Sequence, residues 1–240
     1  MTALTAPDAP HGTGEGALDN PVWSCLTTRY AHLALGNALA LRFHPDYSPL
    51  SAVRGGRPEN VAALLSRVDA GNELSITVVE VGDVPAHWEI LGRLRLVQMI
   101  RRERAPLPMS RDDVAVLGGG DVDDMLALVE LTHPGPFRRR TVELGTFVGI
   151  RRDGRLLAMA GERMWIGNHR EVSAVCTHPD AQGKGLARTL MAHVINRMLA
   201  AGQTPFLHVL SSNERAISTY EGLGFVRRTE IALTRAQRIA

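Results

Sequence analysis

Glu171-Val-Ser-Ala-Val-Cys-Thr-His-Pro-Asp-Ala-Gln-Gly-Lys-Gly-Leu-Ala187 is the stretch that decides how this chain is read. Its first half is β-branched and apolar, which predicts a strand. Pro179 then breaks the strand, two glycines follow, and a helix is expected from Leu186. A strand that feeds a glycine loop at a helix N-terminus is an anion site, because unpaired backbone N–H groups and the helix dipole face the ligand. Gly183 and Gly185 let the backbone approach a phosphate with no Cβ in the way. The loop is not a P-loop, since Lys184 is followed by Gly185 rather than by a hydroxyl residue for magnesium. Nor is it a dinucleotide fingerprint, because Arg188 stands where the third glycine belongs.

Downstream, Pro205-Phe-Leu-His-Val-Leu210 reads as a second apolar strand. Ser211-Ser212-Asn213 follows it, then a helix that reaches Leu223-Gly224-Phe225. Gln182-x-x-Gly185-x-Ala187 resembles the pyrophosphate loop of the GNAT acetyltransferases. Asn213, Ala216, Tyr220 and Leu223-Gly224-Phe225 resemble the signature that follows that loop in the same family. The likeness extends upstream through Thr146–Ala160 and is similar to a bacterial subgroup near the glycine N-acyltransferase-like proteins.

This resemblance implies an α/β GNAT fold, a mixed and mostly antiparallel sheet flanked by helices, with acetyl-CoA as co-substrate. It implies that the pyrophosphate rests on the loop Gln182, Gly183, Lys184, Gly185, Leu186, Ala187 and Arg188. Val175, Cys176 and Thr177 would line the pantetheine arm through their backbone groups. Asn213 would cap its helix and contact that arm, and Tyr220 would protonate or hydrogen-bond the departing thiolate. Tyr220 lies seven residues after Asn213 on the same helical face.

Composition narrows the partners. The chain has 240 residues, 45% hydrophobic content and a formal charge of +2, enough for packed cores without the basic stripe of a nucleic-acid binder. Lys184 is the sole lysine; the remaining positive charge is arginine. Cys25 and Cys176 form neither a disulfide framework nor a metal spacing. No signal peptide or membrane-length apolar run is evident, so the expectation is a cytoplasmic protein with no metal, nucleic-acid or membrane partner, compatible with a homodimer.

Three parts are expected: a mobile tail over 1–20, an N-terminal α/β half over 21–108, and a catalytic domain over 109–240. The N-terminal half is expected to hold helices at Tyr30–Leu41 and Val61–Arg67 and strands at Leu74–Val81 and Leu94–Ile100. It reads either as a degenerate GNAT-like half that helps form the acceptor pocket or as a small lid or dimerisation module. In the C-terminal part, strands are expected at Val114–Leu117, Val142–Ile150, Arg155–Met164 and Phe225–Leu233, with Asp121 capping a helix and Arg152-Asp153-Gly154 as a hairpin turn.

Acetyl transfer to an amine needs a base, because an ammonium has no lone pair. Glu171 is the first candidate, and its spacing of eleven residues before Gln182 is that of the water-relayed glutamate in several histone-type GNAT enzymes. Its structural alternative is a carboxylate paired with Arg163 or Arg170. Glu162 and His208 follow it. Cys176 reads as a small apolar strand residue rather than a nucleophile. Arg138, Arg139 and Arg140 are candidates for gripping an acidic acceptor, or else a solvated surface. The expected activity is N-acetylation of a primary amine by direct attack in a ternary complex. The rival readings are a non-catalytic acyl-CoA sensor and an acyltransferase for longer acyl groups.

Overall fold

A computed structural model describes residues 14–110 and 113–239. Among these, eleven strands join in one mixed sheet. The N-terminal part supplies α1 (Pro21–Leu26), β1 (Ala34–Gly36), β2 (Ala40–Phe43), β3 (Leu50–Val53), α2 (Val61–Leu65), β4 (Glu73–Thr77) and β5 (Trp88–Ile100). The C-terminal part supplies β6 (Ala115–Leu117), α3 (Val122–Thr132), β7 (Phe147–Arg152), β8 (Arg155–Ile166), β9 (His169–Thr177), α4 (Leu186–Ala200), β10 (Thr204–Leu210), α5 (Glu214–Glu221) and β11 (Val226–Arg238). Their order across the sheet is β1-β2-β3-β4-β11-β5-β10-β9-β8-β7-β6.

The topology repeats itself. An antiparallel meander (β1–β2–β3) ends beside a parallel strand, β4; another (β7–β8–β9) ends beside a parallel strand, β10. A helix joins each parallel pair, α2 in the first case and α4 in the second. The last strand of each half crosses over: β5 lies beside β10, β11 beside β4, and the two pair with each other down the middle. The boundary expected near 108 therefore separates stretches of chain whose strands share one sheet.

Side-chain alternation assigns the faces. Val97, Met99, Leu207 and Val209 pack with Leu190, Val194 and Met198 of α4, while Ile100 and Phe206 turn the other way, toward Val22 and Leu26 of α1. On that second face α3 covers Phe147, Met159, Ala174 and Cys176. Tyr30 ties the two halves together: its hydroxyl donates to the Leu144 carbonyl at 2.6 Å and accepts from Arg170 at 3.2 Å.

Several expectations are corrected. Tyr30–Leu41 is a 3-10 turn followed by β1 and part of β2, because Asn37 Oδ1 accepts from the amides of Leu39 (2.8 Å) and Ala40 (3.1 Å) and so turns the chain. The Val142–Ile150 strand starts only at Phe147, after a 3-10 helix over Thr141–Leu144. The tail expected over 1–20 is packed where it is described: a 3-10 helix at Glu15–Asp19 buries Leu18 completely, and Glu15 pairs with Arg102 at 2.8 Å. Residues 1–13 of that tail lie outside the described residues. The Arg152–Gly154 turn has Asp153 at φ 52° and Gly154 at φ 77°, the two left-handed residues of a tight hairpin.

Candidate active site

The site is created where β9 and β10 part company. They pair in parallel only at Thr204↔His169, Pro205↔Arg170 and Phe206↔Glu171. Beyond that point β9 runs on to Thr177 and β10 to Leu210 without pairing with each other. Backbone groups of Val172–Thr177 that would have bonded β10 are thereby left for another extended chain. A bulge sharpens the parting: the register with β8 slips between Gly161↔Ser173 and Met159↔Cys176, and Ala174 sits at φ 52°. Val175, Cys176 and Thr177 all line the resulting cavity of about 800 Å³.

The glycine loop lies at the end of β9. His178 Nδ1 accepts from the Asp180 amide and starts a 3-10 turn over Pro179–Ala181. Gly183 and Gly185 then take φ 77° and 78°, which side chains with a Cβ adopt at a cost. Gly185 is the N-cap of α4 and offers no capping oxygen, so the amides of Leu186, Ala187 and Arg188 point out of the helix end unbonded by it. Lys184 is exposed, with Nζ on the Asp180 carbonyl at 3.0 Å. Arg188 reaches the Gly222 carbonyl at 3.3 Å and so links the loop to the end of α5. Donors, a positive helix end and two flexible backbone positions suit a pyrophosphate.

Asn213 caps α5, its Oδ1 accepting from the Ala216 amide at 3.1 Å. It lines the same cavity as Gln182, Cys176 and Tyr220. Burial pushes the Tyr220 hydroxyl up to about 12, and that hydroxyl has no hydrogen-bond partner among the described residues. It is a neutral donor at physiological pH. Burial also raises the Cys176 thiol to about 11, so a thiolate nucleophile there is disfavoured.

Glu171 is the last paired residue before the strands part, and its side chain is 1% exposed. Burial alone would raise its pKa, but the Arg163 guanidinium and His208 outweigh it and bring the carboxyl to about 2. Arg163 holds it bidentately at 2.8 Å twice, and His208 Nδ1 lies 2.8 Å from Oε1. The neighbours fix the imidazole tautomer. Gln98 donates to the Leu18 carbonyl at 2.9 Å and accepts from Arg228 at 2.9 Å, so its amide nitrogen faces His208 Nε2 at 3.0 Å. His208 thus donates from Nδ1 to Glu171 and accepts at Nε2.

Glu162 does not join this group. It is buried with Arg170 (2.9 Å) and Arg197 (3.4 Å) and does not line the cavity. Of the arginine run only Arg138 lines the cavity; Arg139 pairs with Asp123 and Arg140 with Glu143. Sequence reasoning did not single out Gln98, nor the wall formed by Ser75, Thr77, Leu94, Leu96, Ile231, Leu233 and Arg235. Their alternation marks strands, but nothing local says which strands become neighbours. Among the described residues no group of three or more His, Cys, Asp or Glu is arranged to hold a metal ion, and no helix is long and apolar enough to cross a membrane.

A sheet split beside a glycine loop at a helix N-terminus is the architecture of a coenzyme A-binding acyltransferase fold. Comparisons with known proteins make that specific. Residues 123–225 match the Acetyltransferase (GNAT) family. A solved GNAT-family structure from Novosphingobium aromaticivorans is 37% identical, superimposes with a TM-score of 0.82, and is matched over 93% of this chain and 99% of its own. The chain belongs to the GNAT acetyltransferase family. It is 31% identical over 188 residues to the mycothiol acetyltransferase of Mycobacteroides abscessus, covering 65% of this chain and 62% of that protein. With the ribosomal protein bS18-alanine N-acetyltransferase of Salmonella typhimurium it shares 27% over 122 residues, 48% of this chain and 82% of that one. The chain thus spans less than two thirds of the mycothiol enzyme's length.

Proposed function

We propose that this protein transfers an acetyl group from acetyl-CoA to a primary amine by direct attack in a ternary complex. The observation that carries this reading is the parting of β9 and β10 at Glu171, with the Gly183–Gly185 loop and Tyr220 on the same cavity. The loop amides and the α4 N-terminus hold the pyrophosphate, and the unpaired edge of β9 pairs with the pantetheine arm. An amide in the Val175–Thr177 stretch supports the acetyl oxygen as the amine nitrogen bonds to the carbonyl carbon and the C–S bond breaks.

Proton transfer runs through Glu171 and His208 together. Alone, a carboxylate held at about 2 is a weak base. His208 has the accepting nitrogen, and Glu171 keeps it in that tautomer and stabilises the imidazolium once the amine's proton arrives. The amine or its relay water displaces the Gln98 N–H from Nε2. Tyr220 hydrogen-bonds the departing thiolate. Full proton donation from a group at about 12 to a thiolate near 8.5 would be uphill by about 5 kcal/mol, so the thiolate's proton arrives last and from the imidazolium side.

On this reading the N-terminal half contributes Ser75, Thr77, Leu94 and Leu96 to the acceptor wall, beside Ile231, Leu233 and Arg235 of the C-terminal half. The two named relatives, a mycothiol acetyltransferase and a bS18-alanine N-acetyltransferase, carry different activities in their names, so family membership leaves the acceptor open. A mass-spectrometric screen of amines with acetyl-CoA tests the reading, with His208→Gln as the paired variant. Acetylated product that falls at least a hundredfold in the variant supports it. Coenzyme binding with no acetylation of any amine would refute it in favour of a sensor, and turnover only with longer acyl-CoA would change the donor.

A further inference from the structure

The acceptor side of the cavity has two unlike ends. At the inner end Glu171, Arg163 and His208 neutralise one another in a buried cluster. From there the floor is apolar and follows the sheet register: Leu96 opposite Ile231, then Leu94 opposite Leu233. Leu94 is 37% exposed although it lies in the cavity wall, a bare apolar surface that an apolar ligand body would cover. The next register row brings Arg235 beside Ser75.

At this outer end Glu73 is shared by two guanidiniums. Arg235 Nε lies 2.8 Å from Oε1 and an Arg138 terminal nitrogen 3.8 Å from Oε2. Two positive groups against one carboxylate leave one positive charge. The terminal nitrogens of Arg235 have no hydrogen bond among the described residues, and both arginines are close to half exposed. Of the other lining acids, Glu171 is committed to Arg163 and His208, and Glu130 on α3 forms no ion pair with Arg138 or Arg235 among the described residues. His208 shares its register row with Gln98 and Thr229, and along β11 from Thr229 to Arg235 the span is about 20 Å at 3.3 Å per residue, part of which the Arg235 side chain can bridge.

We propose that the acceptor is an amine whose apolar body ends in a carboxylate, with the amine at His208 and the carboxylate on the Arg235–Arg138 pair. A planar guanidinium fork suits a carboxylate bidentately, and Glu73 pre-orients Arg235 by occupying its Nε. This rests on the amine being acetylated in this cavity.

The test compares 12-aminododecanoate with dodecylamine, which shares its amine and chain but lacks the carboxylate. Titration calorimetry of the full chain with coenzyme A present should show the amino acid binding at least tenfold tighter. In Arg138→Gln/Arg235→Gln that ratio should fall to about one, while Arg139→Gln, whose partner Asp123 lies outside the cavity, should keep it. Equal binding of the two amines, binding of neither, or a ratio that survives the double substitution would overturn the proposal. Acetylation followed in parallel separates the two readings. Acetylation with no carboxylate preference would remove the acceptor assignment and leave transfer standing; carboxylate-dependent binding without acetylation would do the reverse.

Discussion

Replacing Glu171 with Gln tests whether the carboxylate at the strand fork anchors the site as well as serving it. Its pKa falls from 4.5 to about 2 in the folded chain, a shift of about 2.5 units, which at 1.36 kcal/mol per unit is roughly 3 kcal/mol of stability at neutral pH. Removing one partner of a buried ion pair independently suggests about 3–5 kcal/mol, because Arg163 keeps its charge with only a neutral amide to meet it. Because the folded pKa is depressed, the contribution is complete above the unfolded value of 4.5 and is lost as pH falls through about 2. The wild-type advantage should therefore shrink from roughly 3 kcal/mol at pH 7 to roughly 1 at pH 3. Urea denaturation of wild type and Glu171→Gln at both pH values measures this, and thermal melts at pH 7 should differ by about 6–12 °C. Adding Arg163→Met to the variant should restore much of the loss, since the orphaned charge goes with it. A difference under about 1 kcal/mol at pH 7, or one of equal size at pH 3, would show that Glu171 is not held as the geometry requires.

Three further outcomes follow from the same geometry. Tyr220→Phe should lower kcat by about a hundredfold while acetyl-CoA affinity, read by titration calorimetry, stays within a factor of two, because on the proposed reading only the hydroxyl that serves the thiolate is lost. Gly185→Val should weaken acetyl-CoA at least tenfold in the same assay: its φ of 78° strains a β-branched residue by about 1–3 kcal/mol, and no protein atom within 4 Å accounts for the glycine. A fragment of residues 109–239 should fail to give a cooperative melt or a soluble monomer by gel filtration, because it lacks β5 and leaves β10 and β11 as two bare edges.

What the sequence made legible was what is locally encoded. The Glu171–Ala187 stretch specifies strand, turn, left-handed glycines and helix start from adjacent residues, and the structure has each of them in place. The Asp153-Gly154 hairpin is equally local. Glu171 stands out by position, and its ion pair with Arg163 is one of the alternatives the sequence leaves open; its contact with His208 is not legible there. Arg163 is eight residues away in sequence and comes opposite it only through the β8–β9 hairpin, and His208 arrives from another strand. Tyr30–Leu41 looked helical because Ala and Leu dominate it; the Asn37 side chain outbids that propensity by bonding two amides of the turn. Arg235 and Glu73 carry no motif, and they matter only because β11 crosses to lie beside β4.

That crossing explains why the N-terminal half is inseparable from the site. If β5 paired only within its own half, Gln98 could not meet His208, and the imidazole would lose the partner that fixes its tautomer. If β11 stayed in the C-terminal half, Leu233 and Arg235 would have no Thr77 and Ser75 beside them, and the cavity would open to solvent past Leu96. The exchange of final strands thus gives each half a share of the cavity wall. On the proposed reading, substitutions in β4, far from the coenzyme loop in sequence, retune the acceptor without touching Gly183–Arg188. A repeat with only a five-residue helix after its parallel crossover has little of the helix end that holds a pyrophosphate; on the proposed reading, what it keeps is the surface that selects what is acetylated.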